Sequence, residues 1–177
     1  GRIDIVVNNA GGSMPQAFMD TSERAFDEAM RWNVTTAFNL TQLAVPHMIA
    51  TGGGSVINIT SVAGSFSSRG FVAYGTAKAA LIKLTRHLAM DLSPKIRVDS
   101  ISPGSIATSA LEMVLQMPEL ERAMIDATPL GRLGTVDDIA AAAVYLASDA
   151  GAYVTGRDLR VDGGIESSNL EMGIADL

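Results

Sequence analysis

The stretch that decides the fold is Ser55-Val56-Ile57-Asn58-Ile59-Thr60, which continues through a Gly/Ser-rich loop to a segment rich in Ala and Leu over residues 74–92. The apolar run predicts a buried strand, because β-branched side chains pack well in a sheet covered on both faces. The long segment predicts a helix that Ser93-Pro94 ends. A buried strand, a polar loop and a helix in this order are typical of a parallel strand–helix–strand unit.

The same alternation continues on both sides of this stretch. Strands are predicted at residues 3–8, 96–101 and 157–161, and helices at residues 21–48, 109–127 and 135–147. We expect the first helix to bend or break near Asn33, and Pro118 to break the segment 109–127 into one or two short helices. Strands alternating with helices predict an α/β fold: a doubly wound, Rossmann-like parallel sheet of four strands with flanking helices.

The composition narrows the range of functions. Of the 177 residues, 47% are hydrophobic and 18% charged, and the formal net charge is −6 with no Lys/Arg cluster. Nucleic acid and anionic membranes are therefore poor candidates as partners, and no apolar stretch is long enough to span a bilayer. The chain has no cysteine, which fits a cytoplasmic protein without disulfides or thiolate metal sites. Because His47 and His87 are isolated, we expect no metal site.

Three polar residues after the second strand are candidates for catalysis. Tyr74 and Lys78 lie four apart at the start of a helix and share one face. A phenol has an ordinary pKa of about 10, and an ammonium beside it lowers that pKa, so the pair suits general acid–base chemistry on an alcohol. Ser61 follows the carboxyl end of a strand, where open α/β sheets bind ligands, and its hydroxyl can donate to a carbonyl oxygen. Taken singly, these are also an ordinary turn serine, a partly buried tyrosine and a solvated lysine.

With further motifs, these residues resemble the short-chain dehydrogenase/reductase family. Ser61, then Tyr74 thirteen residues on, then Lys78 four residues on, match its active-site pattern. The other matches are Asn8-Asn9-Ala10-Gly11 to its NNAG motif, Asn33 to its fourth catalytic residue, residues 103–108 to its PGxxxT motif, and Gly163-Gly164 after the last strand. The resemblance covers nearly the whole chain, and points most to bacterial hydroxysteroid dehydrogenases and 3-oxoacyl-carrier-protein reductases.

The resemblance implies a role for each residue. Tyr74 would be the acid–base, Ser61 would polarise the substrate oxygen, and Lys78 would lower the tyrosine pKa and hold the nicotinamide ribose. Asn33 would bind a water that links Lys78 to solvent. The implied contacts to the cofactor, NAD or NADP, are Asn9, Ala10 and Gly11 on the adenosine side, Tyr74 and Lys78, and Pro103, Gly104, Ile106, Ala107 and Thr108, the last three at the carboxamide.

The family's glycine-rich phosphate-binding loop has no counterpart in this sequence. We therefore expect residues 1–177 to be the catalytic and C-terminal part of a single Rossmann-like domain. Its first strand–helix units, roughly 80 residues, would belong to a longer parent, and the chain alone would be inactive. Without those units, residues 3–7 would form a bare apolar edge strand. NAD and NADP stay undistinguished, because the residue that reads the adenosine ribose lies in the missing part.

The expected activity is hydride transfer between the cofactor and a secondary alcohol or ketone. Substrate contacts are expected from an apolar, Met-rich set: Gly12, Ser13, Met14, Phe66, Phe71, Leu111, Met113, Val114, Leu115 and Met117. This set favours a bulky apolar substrate such as a hydroxysteroid. A 3-oxoacyl-carrier-protein reductase or a small polyol or sugar alcohol dehydrogenase is the alternative. A non-catalytic cofactor-binding scaffold is the second alternative, and the four intact catalytic residues speak against it.

The outer faces of two helices predict self-association. Apolar residues are expected to point outward from the helices over residues 34–48 and 74–92, namely Leu43, Val45, Leu81, Leu84 and Leu88. Exposed apolar patches of this kind mark interfaces, and two such helices paired about a two-fold axis form a four-helix contact. We therefore expect a homo-oligomer, a dimer or tetramer.

Overall fold

Within residues 1–111, 116–170 and 173–174, which the computed structural model describes, four parallel strands form one sheet. They are β1 (Ile5–Asn8), β2 (Gly54–Ile59), β3 (Ile96–Pro103) and β4 (Asp158–Val161), and they lie side by side in chain order. The register pairs Val6 with Val56, Val56 with Val98, and Ile101 with Leu159. The predicted parallel α/β fold is confirmed, and all carboxyl ends of the strands lie at one edge of the sheet.

Five helices connect and flank these strands in the described part of the chain. They are α1 (Glu23–Met30), α2 (Thr36–Ala50), α3 (Val72–Leu92), α4 (Pro118–Asp126) and α5 (Val136–Ala147). Thr135 caps α5 in a capping box with Asp138, as expected for an acidic first turn. Pro118 begins α4 instead of breaking a helix, because a helix's first position needs no N–H donor. None of the helices in the described ranges is both long and apolar enough to cross a membrane.

The predicted bend or break near Asn33 is replaced by a π-helical turn. Residues Arg31–Thr35 form this turn between α1 and α2, and the Thr36 N–H donates to the Arg31 carbonyl five residues back. The helical path therefore continues through Asn33, since one extra residue is accommodated by a wider hydrogen-bonded loop. Such turns shift the register of side chains around the helix axis, which is how Asn33 comes to face the inside of the protein.

Two apolar cores lie on opposite faces of the sheet. Adjacent residues of β2 show the alternation: Val56 packs in a buried cluster with Met48 of α2 and Ala89 of α3, and Ile57 packs with Leu146 of α5. All five side chains are buried, with exposures of 0–3%. Because side chains alternate across a strand, β2 is covered on both faces, as its apolar sequence predicts.

Strand β1 lies at the edge of the sheet and is covered on one face only. Val6 and Asn8 are buried, while Ile5 and Val7 are 50% and 46% exposed. Helix α5 packs on β2, β3 and β4, so the face of β1 on that side has no helix over it among the described residues. The expected apolar edge strand is therefore present.

The outward direction expected for five apolar residues of α2 and α3 is only partly correct. Leu43 is 71% exposed, but Leu81 is 1% exposed, so its assignment to the outer face is wrong. Val45 and Leu88 pack at the margin of the first core. The reason is helical periodicity: Leu81 shares the inward stripe of α3 with Lys78 and Thr85 at three- and four-residue spacing.

Candidate active site

Ser61 and Tyr74 come together because the loop after β2 lies directly on α3. Ser61 follows the carboxyl end of β2 and caps a short 3₁₀ turn, where its Oγ accepts from the Ala63 N–H at 3.1 Å. A Cβ on Gly64 would stand 2.8 Å from the Ala79 amide nitrogen, so only glycine allows so close an approach of loop to helix. Tyr74 lies in the first turn of α3, with its phenol close enough to Ser61 for that hydroxyl to influence its pKa.

The pKa of Tyr74 is raised, not lowered. Burial of the phenol raises its pKa from the ordinary value, and the hydrogen bond with Ser61 lowers the pKa in part. The expectation that Lys78 depresses this pKa is therefore wrong for the chain as it stands. The free energy that the phenolate loses by leaving water is larger here than the stabilisation it gains from neighbouring groups. At neutral pH the phenol is protonated and is a proton donor.

Lys78 is buried beneath the tyrosine ring. Lys78 is only 3% exposed, and its Nζ lies 5.6 Å from the centroid of the Tyr74 ring. The ammonium donates to the Ile59 carbonyl at 2.9 Å, at the very end of β2. Burial lowers the pKa of Lys78 to about 8, because the charged form loses its hydration. The amine is thus fixed between the sheet edge and Tyr74.

Asn33 is fully buried and clamps the loop after β1. Its Oδ1 accepts from the Gly12 N–H at 2.9 Å, and its Nδ2 donates to the Gly12 carbonyl at 3.0 Å. The Nδ2 also donates to the Ala29 carbonyl at 2.9 Å, one turn back in α1. The π-helical turn places the amide so that it can serve both partners. The position of the loop that leaves β1 is therefore set by this one side chain.

Gly11 joins the two buried groups. A Cβ on Gly11 would lie 2.6 Å from Asn33 Oδ1 and 2.9 Å from Lys78 Nζ, so the glycine Cα is wedged between an amide and an ammonium. The structure therefore brings all four predicted catalytic residues together: Ser61 beside Tyr74, Tyr74 over Lys78, and Lys78 across Gly11 from Asn33.

The predicted cofactor contacts lie at the same sheet edge. Asn9, Ala10 and Gly11 are exposed after β1. Pro103 ends β3, and the chain beyond it is held by backbone bonds: Gly104 N–H to the Val161 carbonyl at 3.0 Å, and Ala107 N–H to the Gly134 carbonyl at 2.9 Å. Ile106 pairs with Gly134 as a parallel bridge, and Thr108 accepts from the Leu111 N–H at 2.9 Å.

These residues fit the nicotinamide half of a dinucleotide. Exposed residues follow β1, half-buried residues follow β3, and the Tyr74 phenol and the Ser61 hydroxyl lie near each other after β2. Ligands of open α/β sheets bind at this edge, outside the carboxyl ends of the strands.

The sequence reasoning missed a buried polar chain that crosses the strand ends. Asn8 Nδ2 donates to Thr41 Oγ1 at 3.1 Å and to Asn58 Oδ1 at 2.8 Å. Asn58 Nδ2 donates to Thr85 Oγ1 at 2.8 Å, and Thr85 donates to the Leu81 carbonyl at 2.9 Å. The available signal was Asn58 itself, a polar residue inside an otherwise apolar strand, since buried amides need partners.

The predicted substrate contacts are dispersed around this edge. Phe71 lies beside Tyr74, with ring centroids 6.1 Å apart, and Met14 and Met117 are 71% and 56% exposed. Phe66 lies under the guanidinium of Arg160, 4.6 Å from its central carbon, so one face of this ring is already occupied. Gly12 is held by Asn33, Ser13 follows it, and Leu111 ends a 3₁₀ turn. Met113, Val114 and Leu115 lie outside the described residues.

Comparison with known proteins agrees with this geometry. The model of a family described as enoyl-(acyl carrier protein) reductase matches residues 1–166. An uncharacterized oxidoreductase of Mycobacterium tuberculosis is 56% identical over 178 residues, covering 100% of this chain and 68% of the relative. The 7alpha-hydroxysteroid dehydrogenase of Escherichia coli K12 is 44% identical over 165 residues, with 93% and 64% covered. The chain belongs to the short-chain dehydrogenase/reductase family.

Solved structures show the same fold with cofactor bound. A 7 alpha-hydroxysteroid dehydrogenase complexed with NADH and 7-oxo glycochenodeoxycholic acid superimposes with a TM-score of 0.88 at 44% identity, covering 93% of this chain and 64% of the other. A gluconate 5-dehydrogenase from Burkholderia cenocepacia with NADP and tartrate has a TM-score of 0.88 at 34% identity, with 93% and 65% covered. The family uses NAD or NADP, and this chain spans about two thirds of the length of these relatives.

Proposed function

We propose that the full-length protein is an NAD- or NADP-dependent oxidoreductase that interconverts a secondary alcohol and a ketone. The observation that carries this proposal is that Ser61 and the Tyr74 phenol lie close together, with the buried ammonium of Lys78 below the phenol ring. Two hydroxyl groups side by side, those of Ser61 and Tyr74, can together bind one substrate oxygen atom while that oxygen gains or loses a proton.

The chain's own residues handle that proton. In the direction of reduction, the Tyr74 hydroxyl donates its proton to the substrate's carbonyl oxygen, which its raised pKa permits at neutral pH. The Ser61 hydroxyl donates a hydrogen bond to the same oxygen and holds it within reach of Tyr74. When bound, the nicotinamide cofactor supplies or accepts the hydride. In oxidation Tyr74 must first lose its proton, which its raised pKa opposes.

Other residues would hold the cofactor. Lys78 Nζ would donate to the ribose hydroxyls next to Tyr74, and the backbone of Asn9–Gly11 would lie along the adenosine side. The segment 103–108 would meet the nicotinamide carboxamide. The Ala107 N–H donates to the Gly134 carbonyl and the Gly134 N–H donates to the Ser105 carbonyl, and these two bonds keep the segment in place. Asn33, besides holding Gly12, would bind a water on the path from Lys78 to solvent.

A bulky apolar alcohol or ketone, such as a hydroxysteroid, is the proposed substrate. The support is the 44% identity to a 7alpha-hydroxysteroid dehydrogenase, the Phe71 ring beside Tyr74, and the exposed side chains of Met14 and Met117. Thioether side chains adapt their shape to a large apolar ligand.

A 3-oxoacyl-carrier-protein reductase is the second candidate. A reductase of this kind from Thermotoga maritima is 37% identical over 167 residues. A polyol or sugar alcohol dehydrogenase is the third, because a gluconate 5-dehydrogenase superimposes equally well.

The chain would be the catalytic part of one Rossmann-like domain. The uncovered face of β1, with Ile5 and Val7 about half exposed, is where a further strand and helix would pack. The remaining third of the relatives' length would supply them together with the phosphate-binding loop, and residues 1–177 alone would be inactive. A cytoplasmic location, favoured by the absence of cysteine, and a homo-oligomer, most simply a tetramer, complete the proposal.

The test uses the purified full-length parent. Oxidation of NADH and of NADPH is followed with 7-oxo glycochenodeoxycholic acid, an acetoacetyl thioester and a keto-gluconate as acceptors. We expect turnover with at least one of them, and the highest kcat/KM with the steroid ketone. Turnover of the thioester alone would favour the second candidate. Binding of cofactor without any turnover would contradict the enzymatic proposal and favour the scaffold alternative.

A further inference from the structure

The segment that follows β4, here called the tail (residues 165–170), touches several parts of the candidate site. Ile165 is buried at its start, where its carbonyl accepts from the Arg160 guanidinium. Ser168 Oγ donates to Ser68 Oγ at 3.1 Å, in the loop between Ser61 and α3. The tail therefore packs against the loop that connects Ser61 to α3, close to the candidate site.

Asn169 is the residue of the tail with the most directional contacts. Its Oδ1 accepts from Ser105 Oγ at 2.8 Å. Its Nδ2 donates to the Met124 carbonyl at 3.3 Å and to Thr128 Oγ1 at 3.1 Å. Ser105 belongs to the segment 103–108, whereas Met124 is in the last turn of α4 and Thr128 follows that helix. One amide thus connects the proposed nicotinamide segment to α4.

The groups that receive these bonds are held firmly themselves. Met124 and Thr128 are 0% and 5% exposed, and Thr128 Oγ1 donates to the Met124 carbonyl at 2.7 Å. On the other side, the Ser105 carbonyl accepts from the Gly134 N–H at 2.9 Å. Each of these bonds holds one end within its own segment, whereas the bonds of Asn169 connect the two segments to each other.

We propose that Asn169 is a positioning residue that fixes the spacing between the cofactor segment 103–108 and α4, and that this spacing sets how much room a substrate has between them. This proposal rests on the proposed function, since it gives these two segments their roles. Only an amide serves both ends: a carboxylate lacks the donor for Met124 and Thr128, and an aliphatic side chain lacks both groups.

Two substitutions in the full-length parent separate the two connections. Ser105→Ala removes the bond to the cofactor segment and leaves the bonds to α4. Asn169→Asp keeps an acceptor for Ser105 but places a carboxylate against the Met124 carbonyl. Since a side-chain hydrogen bond contributes about 1 kcal/mol, we expect Ser105→Ala to raise the NADH or NADPH Kd about threefold to tenfold, with little change in the ketone KM. Asn169→Asp should do the reverse, and Asn169→Ala should raise both.

The measurements are cofactor Kd by fluorescence titration, KM and kcat with 7-oxo glycochenodeoxycholic acid, and backbone hydrogen exchange in α4 and in residues 103–108. Ser167→Ala is the matched control, because Ser167 is an exposed tail serine. Its values should equal those of the parent. If Asn169→Ala does not fold, the cofactor Kd and ketone KM of Ser105→Ala and Asn169→Asp still test the proposal.

Cofactor titration and hydrogen exchange need no substrate, so they test the role of Asn169 independently of the substrate assignment. If the steroid ketone is not turned over, the substrate assignment fails, while faster exchange in α4 of Asn169→Asp and in residues 103–108 of Ser105→Ala still supports a positioning role. The proposal is overturned if Asn169→Ala leaves cofactor Kd and exchange in both segments unchanged. It is also overturned if all three variants lower the melting temperature with identical Kd and KM changes, because that pattern means a merely structural contact.

Discussion

Replacing Gly11 with alanine tests the geometry of the site directly, because it adds one methyl group between Asn33 and Lys78. The new Cβ would lie 2.6 Å from Asn33 Oδ1 and 2.9 Å from Lys78 Nζ, whereas ordinary contacts begin at 3.4 Å. The amide must therefore retreat by about 0.8 Å and the ammonium by about 0.5 Å. Neither has free space to retreat into, since Asn33 and Lys78 are 0% and 3% exposed.

The magnitude follows from the bonds that such a shift strains. Asn33 makes two bonds to Gly12 and one to Ala29, and Lys78 makes one to Ile59. Overpacking with partial loss of such bonds costs about 1–3 kcal/mol of stability. A misplacement of about 1 Å costs on the order of 10²-fold in rate, so if Lys78 and Asn33 support catalysis, these smaller shifts should lower kcat/KM by about 10-fold to 10²-fold.

The assay is urea unfolding together with initial rates for the full-length parent, Gly11→Ala, Asn33→Ala and the double variant. Truncating Asn33 removes the tighter of the two clashes, so the losses of unfolding free energy should not add. The double variant should be more stable than the sum of the single losses by at least about 0.5 kcal/mol. A Gly11→Ala protein with unchanged stability and unchanged kcat/KM would refute the reasoning, because the methyl group would then have found room.

Four further outcomes are expected in the full-length parent. Tyr74→Phe should lower kcat by about 10²–10⁴-fold or more while cofactor Kd stays near that of the parent, measured by initial rates and fluorescence titration; activity within a few-fold would contradict the assignment. Ser61→Ala should raise the pKa of Tyr74 further, because the hydrogen bond that lowers this pKa is lost, and titration of tyrosinate absorbance checks it. For Lys78, burial lowers the pKa from 10.5 to about 8, so the folded chain binds fewer protons in that window. The unfolding free energy should therefore rise between pH 8 and 10.5 by up to roughly 3 kcal/mol more than in Lys78→Met, and equal slopes in urea unfolding would contradict the burial of this amine. Leu43→Glu, at a residue 71% exposed, should give smaller species in sedimentation without loss of cofactor binding, and a parent that is already monomeric would overturn the predicted assembly.

Much of the fold was predictable because its signals are local. Short segments of five or six residues with β-branched or aliphatic side chains, bounded by turn residues, marked the strands, and Thr135 with two aspartates marked the start of α5. The motif residues Ser61, Tyr74 and Lys78 were predictable as a group because their spacing places them at one sheet edge. Their contacts in the structure agree with that placement, while their roles stay a prediction.

What could not be predicted depends on the environment created by the rest of the chain. The outward direction of Leu81 was wrong because a largely apolar helix does not show which of its faces meets the sheet. The lowered pKa of Tyr74 was wrong because burial, which no spacing reveals, outweighs a neighbouring charge. The π-helical turn at Asn33 likewise depends on a partner, the Gly12 backbone, from another part of the chain.

The buried polar chain explains how groups on separate elements keep one geometry. Asn8 and Asn58 are register partners, and an unpaired buried amide would cost about 1–3 kcal/mol, so β1 and β2 cannot slide past each other cheaply. Gly11 follows Asn8 by three residues, and Ser61 follows Asn58 by three. Thr85, two turns beyond Lys78, ties α3 to the same amides. Apolar packing is non-directional and tolerates small shifts, whereas these bonds do not. The precision of the site therefore comes from amides and hydroxyls inside the apolar core, where a substitution should lower both stability and activity.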